Sequence, residues 1–205
     1  QLGKTEVVFN GETMEMQDYI KISTIKSNAF DNVSVAAQLS DDQSVDARIT
    51  YVVSNKVVAA LGTRLKTLMD GLVPDNASMT YQDGDSSRTY TISFESATLQ
   101  NYITNVNKAL HTNNTVFEVS TEGDTESLSA KKSIKQYYDG SYFLDFTAEG
   151  TTMSYILDVS PEYTVESCSS TYGYLKDESS TYSSDTCEIT MTVASADEVT
   201  AVLGF

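Results

Sequence analysis

Residues 80–111, TYQDGDSSRTYTISFESATLQNYITNVNKALH, carry two chain periods back to back, and this narrows the folds open to the chain. Tyr90, Ile92 and Phe94 alternate with Thr91, Ser93 and Glu95, the two-residue period of a strand with one face on a core and one in water. Asp83-Gly84-Asp85 stands ahead of them as a turn, because glycine tolerates positive φ and aspartate bonds its own backbone; this predicts a hairpin. Leu99, Tyr102, Ile103, Val106 and Leu110 then recur at helical spacing, with Ser96 placed to cap the first turn. Strand therefore passes into helix almost without a linker.

The C-terminus repeats that order. Ile189, Met191 and Val193 alternate with Thr190 and Thr192, and Ser195-Ala196-Asp197-Glu198 has the form of a capping box before Val199, Val202 and Leu203. Ser96 and Ser195 lie about one hundred residues apart, a recurrence that suggests two related halves.

Between these units the apolar spacing predicts strands over residues 6–9, 19–25, 33–39, 48–53, 116–120, 142–146, 152–159 and 163–167. Val58, Leu61, Leu65 and Leu68 share one helical face, with Asn55 able to cap the start and Gly71 and Pro74 marking the end; Arg64 and Lys66 lie off that stripe, on the solvent side. Ala130, Ile134 and Tyr137 predict another helix over 127–138. His111-Thr112-Asn113-Asn114 interrupts the pattern, which places a boundary between an N-terminal α+β domain, 1–112, and a C-terminal one, 113–205. The expected class is α+β, with antiparallel sheets and three to four amphipathic helices.

A chain of 205 residues that is 40% hydrophobic can bury a core without staples. Its 29 acidic residues against 13 basic ones give a formal charge of −16, a field that repels phosphate backbones and anionic headgroups, so nucleic acid is an unsuitable partner. Cys168 and Cys187 are the two cysteines, each at the edge of an expected strand and flanking a polar excursion over 169–185. Two thiols cannot complete a structural zinc site, and a disulfide between them implies an oxidising compartment.

Chemical motifs are scarce. The one histidine, His111, falls at an expected helix C-terminus, which leaves no candidate for a Ser-His-Asp or multi-histidine metal arrangement. Neither GxGxxG nor GxxxxGK[ST] occurs. Asp83, Asp85 and Ser87 begin like a calcium loop, but Arg88 and Phe94 stand where glycine and glutamate are needed; a looser oxygen site at Asp41-Asp42 or Asp83-Asp85 is the remaining option. Glu118, Glu122, Asp145 and Asp158 are the acids a glycoside hydrolase would draw on, without the tryptophan platform such sites carry. No catalytic residue, cofactor or metal is expected. Tyr137, Tyr138, Tyr142, Tyr172, Tyr174 and Tyr182 concentrate in the C-terminal half and form the candidate ligand surface, since tyrosine offers contact area at low entropic cost.

The opening QLGKTEVVFNGE resembles the residues just after the acylated cysteine of bacterial surface lipoproteins, although that cysteine is absent here, and VFNGETMEMQDYIKIS resembles β-rich extracytoplasmic regions of uncharacterised Gram-positive surface proteins. The resemblance implies a location outside the cell and a lipid anchor upstream of Gln1, consistent with a sequence that starts without methionine. The expected function is a non-enzymatic, acidic cell-surface binding or scaffold module for a protein or a glycan. Two other readings are a carboxylate-dependent hydrolase acting on extracellular polysaccharide, and a partner-binding subunit of a membrane complex, which would show a broad exposed apolar patch.

Overall fold

The structure, a computed structural model, describes residues 4–9, 11–23, 30–110, 117–123, 125–131, 152–160, 164–170, 174–175, 186–192 and 198–204. It opens on a small hairpin, β1 (Glu6–Phe9) with β2 (Glu12–Glu15), followed by helix α1 (Met16–Ser23). Strands β3 (Asn32–Leu39) and β4 (Val45–Ser54) lead into α2 (Asn55–Leu61) and α3 (Thr63–Leu72). The unit that dominates the sequence comes next: β5 (Ser78–Asp83), β6 (Ser87–Ser96) and α4 (Leu99–Ala109). Beyond it lie β7 (Phe117–Glu122), β8 (Thr125–Lys131), β9 (Thr152–Val159), β10 (Thr164–Ser170), β11 (Tyr174–Leu175), β12 (Thr186–Thr192) and β13 (Glu198–Gly204).

Seven strands form one sheet in the order β11-β12-β9-β3-β4-β6-β5, and four form a second, β10-β13-β8-β7. The class is α+β, as expected. Pairing is antiparallel throughout the described ladders except between β3 and β9, which run parallel. The large sheet takes β9, β11 and β12 from beyond residue 112, so strands from both sides of the expected boundary share it.

One face of the large sheet makes the core. Val33, Val35, Ala37 and Leu39 alternate inward from β3, Val45, Ala47, Ile49, Tyr51 and Val53 from β4, and Tyr90, Ile92 and Phe94 from β6. Helices α2 and α4 cover that face, with Leu99, Tyr102, Ile103 and Val106 of α4 all buried. Each such aliphatic side chain taken from water contributes about 1.5–3 kcal/mol. The Tyr51 hydroxyl donates to the Ala109 carbonyl at 2.6 Å, closing the end of α4 onto the sheet. Helix α4 also touches β7, so it is packed against both sheets.

Several local expectations are corrected. Residues 19–25 were expected as a strand, but 16–23 form α1: Ile22 is buried and Tyr19 packs edge-on against Phe9, while Ile20 is exposed, a three-residue rather than two-residue spacing. The helix expected from Asn55 to Gly71 is two helices. Gly62 breaks it at φ 54°, ψ −124°, a conformation open to glycine and strained for other residues. Its N-cap is Ser54, accepting from the Val57 N–H, and Asn55 instead donates to the Gly84 and Asp85 carbonyls at 3.1 Å. The α4 cap is Thr98 and not Ser96; Ser96 is buried at the end of β6 and accepts from the Asn105 amide at 2.9 Å. Arg64 is half-buried, 3.9 Å from Asp18.

The helix expected over 127–138 is strand β8 as far as Lys131, the rest lying outside the described residues. Leu128 and Ala130 alternate with Ser127 and Ser129, and each pairs with an apolar residue on both neighbours, Val119 and Ala201, Phe117 and Val199. Likewise the helix expected after Ser195 is strand β13, held centrally between β10 and β8. Pairing on both edges outweighs a four-residue cap signature. The expected strand over 142–146 lies outside the described residues.

Candidate functional site

The described helices pack on one side of the large sheet, and the alternate residues of the same strands make an open, polar face on the other. Cross-strand register arranges them in rows. One row runs from Asp158 on β9 through Gln38 and Asp46 to Glu95 on β6. The next runs Ile156, Ala36, Arg48, Ser93, Ser78. A third is built of hydroxyl residues, Ser154, Ser34, Thr50, Thr91 and Thr80, and extends through Thr190 to Tyr174 on β11.

An open groove of about 630 Å³ lies over the first two rows. The strands make its floor, with Ala36 leaving room between Gln38 and Arg48, and Asn76 and Ala77 of the segment joining α3 to β5 make one wall. Asn76 sits in the left-handed region at φ 63°, which turns the chain back along the sheet. Arg48 is exposed and belongs to none of the ion pairs among the described residues, with Asp46 two positions along its strand and Glu95 diagonal to it. The three acids stand one to a strand. Among the described residues no group of three or more His, Cys, Asp or Glu side chains converges closely enough to hold a metal ion.

Of the carboxylates expected for hydrolysis, Asp158 enters this groove; Glu122 is exposed at the end of β7 and Glu118 is on β7 in the other sheet, so these are not brought together. Asp145 lies outside the described residues. Of the expected tyrosine surface, Tyr174 takes a register position at the outer edge of the open face, while Tyr137, Tyr138, Tyr142, Tyr172 and Tyr182 lie outside the described residues, as does His111. Gln38, Asp46, Arg48 and Glu95 were not singled out from sequence. Their signal was present as the solvent half of each alternation, but the groove exists only once four strands are in register.

The loose cation sites resolve into protein contacts. Asp42 accepts from the Ser44 hydroxyl at 2.6 Å and from its backbone N–H at 3.0 Å, and these bonds hold its carboxyl below the usual aspartate range. Asp83 accepts from Arg88 Nε at 2.6 Å. The Arg88 guanidinium also lies 4.5 Å above the Tyr81 ring and bonds the Tyr90 hydroxyl; Asp83 first, then Tyr90, pushes its pKa above the ordinary arginine value. A smaller cavity of about 200 Å³ at the start of α4, between Gln43, Gln100 and Thr121, has no charged residue in its lining.

Neither a protein-family model nor a curated protein matches the chain. Among solved structures it is similar to the folded domain of the LppM protein of Mycobacterium tuberculosis, determined by NMR, with a TM-score of 0.57 and 11% identity. The match covers 88% of this chain and 92% of that domain. At that identity the likeness shows the fold alone, an α+β domain.

Proposed function

We propose that the chain is the non-enzymatic binding module of a bacterial surface lipoprotein, holding a polar ligand, a protein segment or a glycan, on the open face of its large sheet. A lipid anchor ahead of Gln1 and a disulfide joining Cys168 to Cys187 belong to the same reading. The observation that carries it is the groove over Gln38, Asp46, Arg48, Glu95 and Asp158, a concave hydrogen-bonding surface on the side of the sheet that the described helices leave open. A sheet face with no core to make is free to bind. Three carboxylates to one arginine favour a ligand rich in hydroxyl or amine donors.

The experiment is a glycan and peptide array probed with the labelled chain and with Arg48→Glu and Asp46→Lys. The expected result is a ligand retained by the parent and weakened at least about tenfold by either substitution, a loss of about 1.4 kcal/mol, with unfolding midpoints unchanged. Retention of nothing, or equal retention by all three proteins, would overturn the proposal.

The hydrolase reading keeps one favourable observation, the Asp158, Asp46 and Glu95 row. It requires sugar release that Asp158→Asn abolishes. The membrane-complex reading has less behind it. The exposed large apolar residues among those described are Val8, Ile20 and Tyr81, the last on β5 and the first two in the N-terminal hairpin and helix.

A further inference from the structure

Strand β5 ends the large sheet: among the described elements it pairs with β6 and with nothing on its other side. The phase of its ladder follows from the turn. Gly84 N–H donates to the Ser87 carbonyl at 2.8 Å, so Gly84 and Ser87 are a hydrogen-bonded pair. Antiparallel pairs alternate, which makes Gln82–Thr89 and Thr80–Thr91 bonded pairs and leaves Asp83, Tyr81 and Met79 with N–H and C=O directed away from β6. Among the described residues, the edge thus presents the N–H and C=O of three alternate residues without a strand partner.

Natural sheets block such edges with lysine, proline, a bulge or an inward charge. The sequence SMTYQD has none of the first two, and its register with β6 runs without a shift. Its single charge, Asp83, is the last residue and is engaged by Arg88. The turn beyond it is fastened by Asn55, whose side-chain amide donates to the Gly84 and Asp85 carbonyls and whose backbone N–H donates to the Ser86 carbonyl, so the edge is held in place before any partner arrives. Tyr81, 60% exposed and lying under the Arg88 guanidinium, gives the edge a rigid aromatic contact.

We propose that β5 receives an extended segment of a cationic partner protein as an eighth strand. Backbone bonds to Met79, Tyr81 and Asp83 supply the affinity. Charge selects the occupant. Asp75 precedes the strand, paired with Lys108, Asp83 ends it, paired with Arg88, and exposed Asp85 follows it; beyond these, a chain carrying −16 attracts a basic partner and repels a second copy of itself. This surface is distinct from the groove: its groups lie in the plane of the sheet, and the groove's side chains stand perpendicular to it.

The test uses the whole chain and a synthetic peptide of alternating threonine and valine with two lysines at each end. Titration followed by amide NMR is expected to shift Met79, Tyr81 and Asp83 and to slow their hydrogen exchange. Tyr81→Pro removes one outward N–H and leaves the β6 ladder bonds in place, and is expected to weaken binding at least tenfold. Replacing the lysines by glutamates is expected to do the same. A peptide N-methylated along one edge tests the same bonds on the unaltered protein, should the proline variant fold poorly; it is expected not to bind. Equal affinity for the methylated peptide, shifts confined to groove residues, or dimerisation of the chain through β5 in place of peptide binding would overturn the proposal.

Discussion

The two faces of the seven-stranded sheet are made from alternate residues of the same strands, yet they do different work. On β4, Val45, Ala47, Ile49, Tyr51 and Val53 are buried under helices, and the interleaved Asp46, Arg48, Thr50 and Val52 form the open side. Among the described residues, the covered face and the helices over it hold most of the buried apolar side chains. The open face contributes little to it, and its polar side chains are therefore available for recognition. That division explains how a sheet of ordinary composition can carry a groove lined by eight polar side chains.

The disulfide gives a large expected effect and would extend the contrast to the second sheet. Cys187 pairs in register with Leu157, a residue buried on the covered face, and the Cα atoms of β12 and β10 come within 8 Å of each other. A bridge to Cys168 on β10 would therefore tie the small sheet to the covered side. The unfolded, unreduced chain is expected to show no reactive thiol, and Cys187→Ser to lower the unfolding free energy by about 3 kcal/mol in the chain-entropy account. Two labelled thiols would remove this staple from the account.

A smaller effect belongs to a single hydroxyl on the covered side of β4. Tyr51→Phe deletes the donor to the Ala109 carbonyl in the core and is expected to cost about 1–3 kcal/mol by urea unfolding, since a buried acceptor is left unpaired. A cost below about half a kcal/mol, the range of ordinary surface changes, would show that water reaches the end of α4 and that the covered face is less dry than described.

What could be read from sequence follows the same division. The β5–β6 hairpin and α4 were legible because both periods run for many residues and the turn chemistry at Asp83-Gly84-Asp85 agrees with them. Short segments were not. Residues 19–25 hold too few positions to separate period two from period three, and the Ser195 cap signature was outweighed by β13 pairing on both edges, a tertiary fact with no local trace. The candidate site was harder still. Asp158 was named as an acid of interest, but Gln38, Asp46, Arg48 and Glu95 lie on three other strands, and only the register of those strands makes them neighbours.

The most direct measurement exchanges the two sides of β4 at adjacent positions. Ile49→Thr is expected to destabilise by about 2–4 kcal/mol, through lost packing and a buried hydroxyl, and Thr50→Ile to change stability by less than about 0.5 kcal/mol. Equal losses in equilibrium unfolding would mean that both faces are packed, and that the sheet has no free side on which to bind anything.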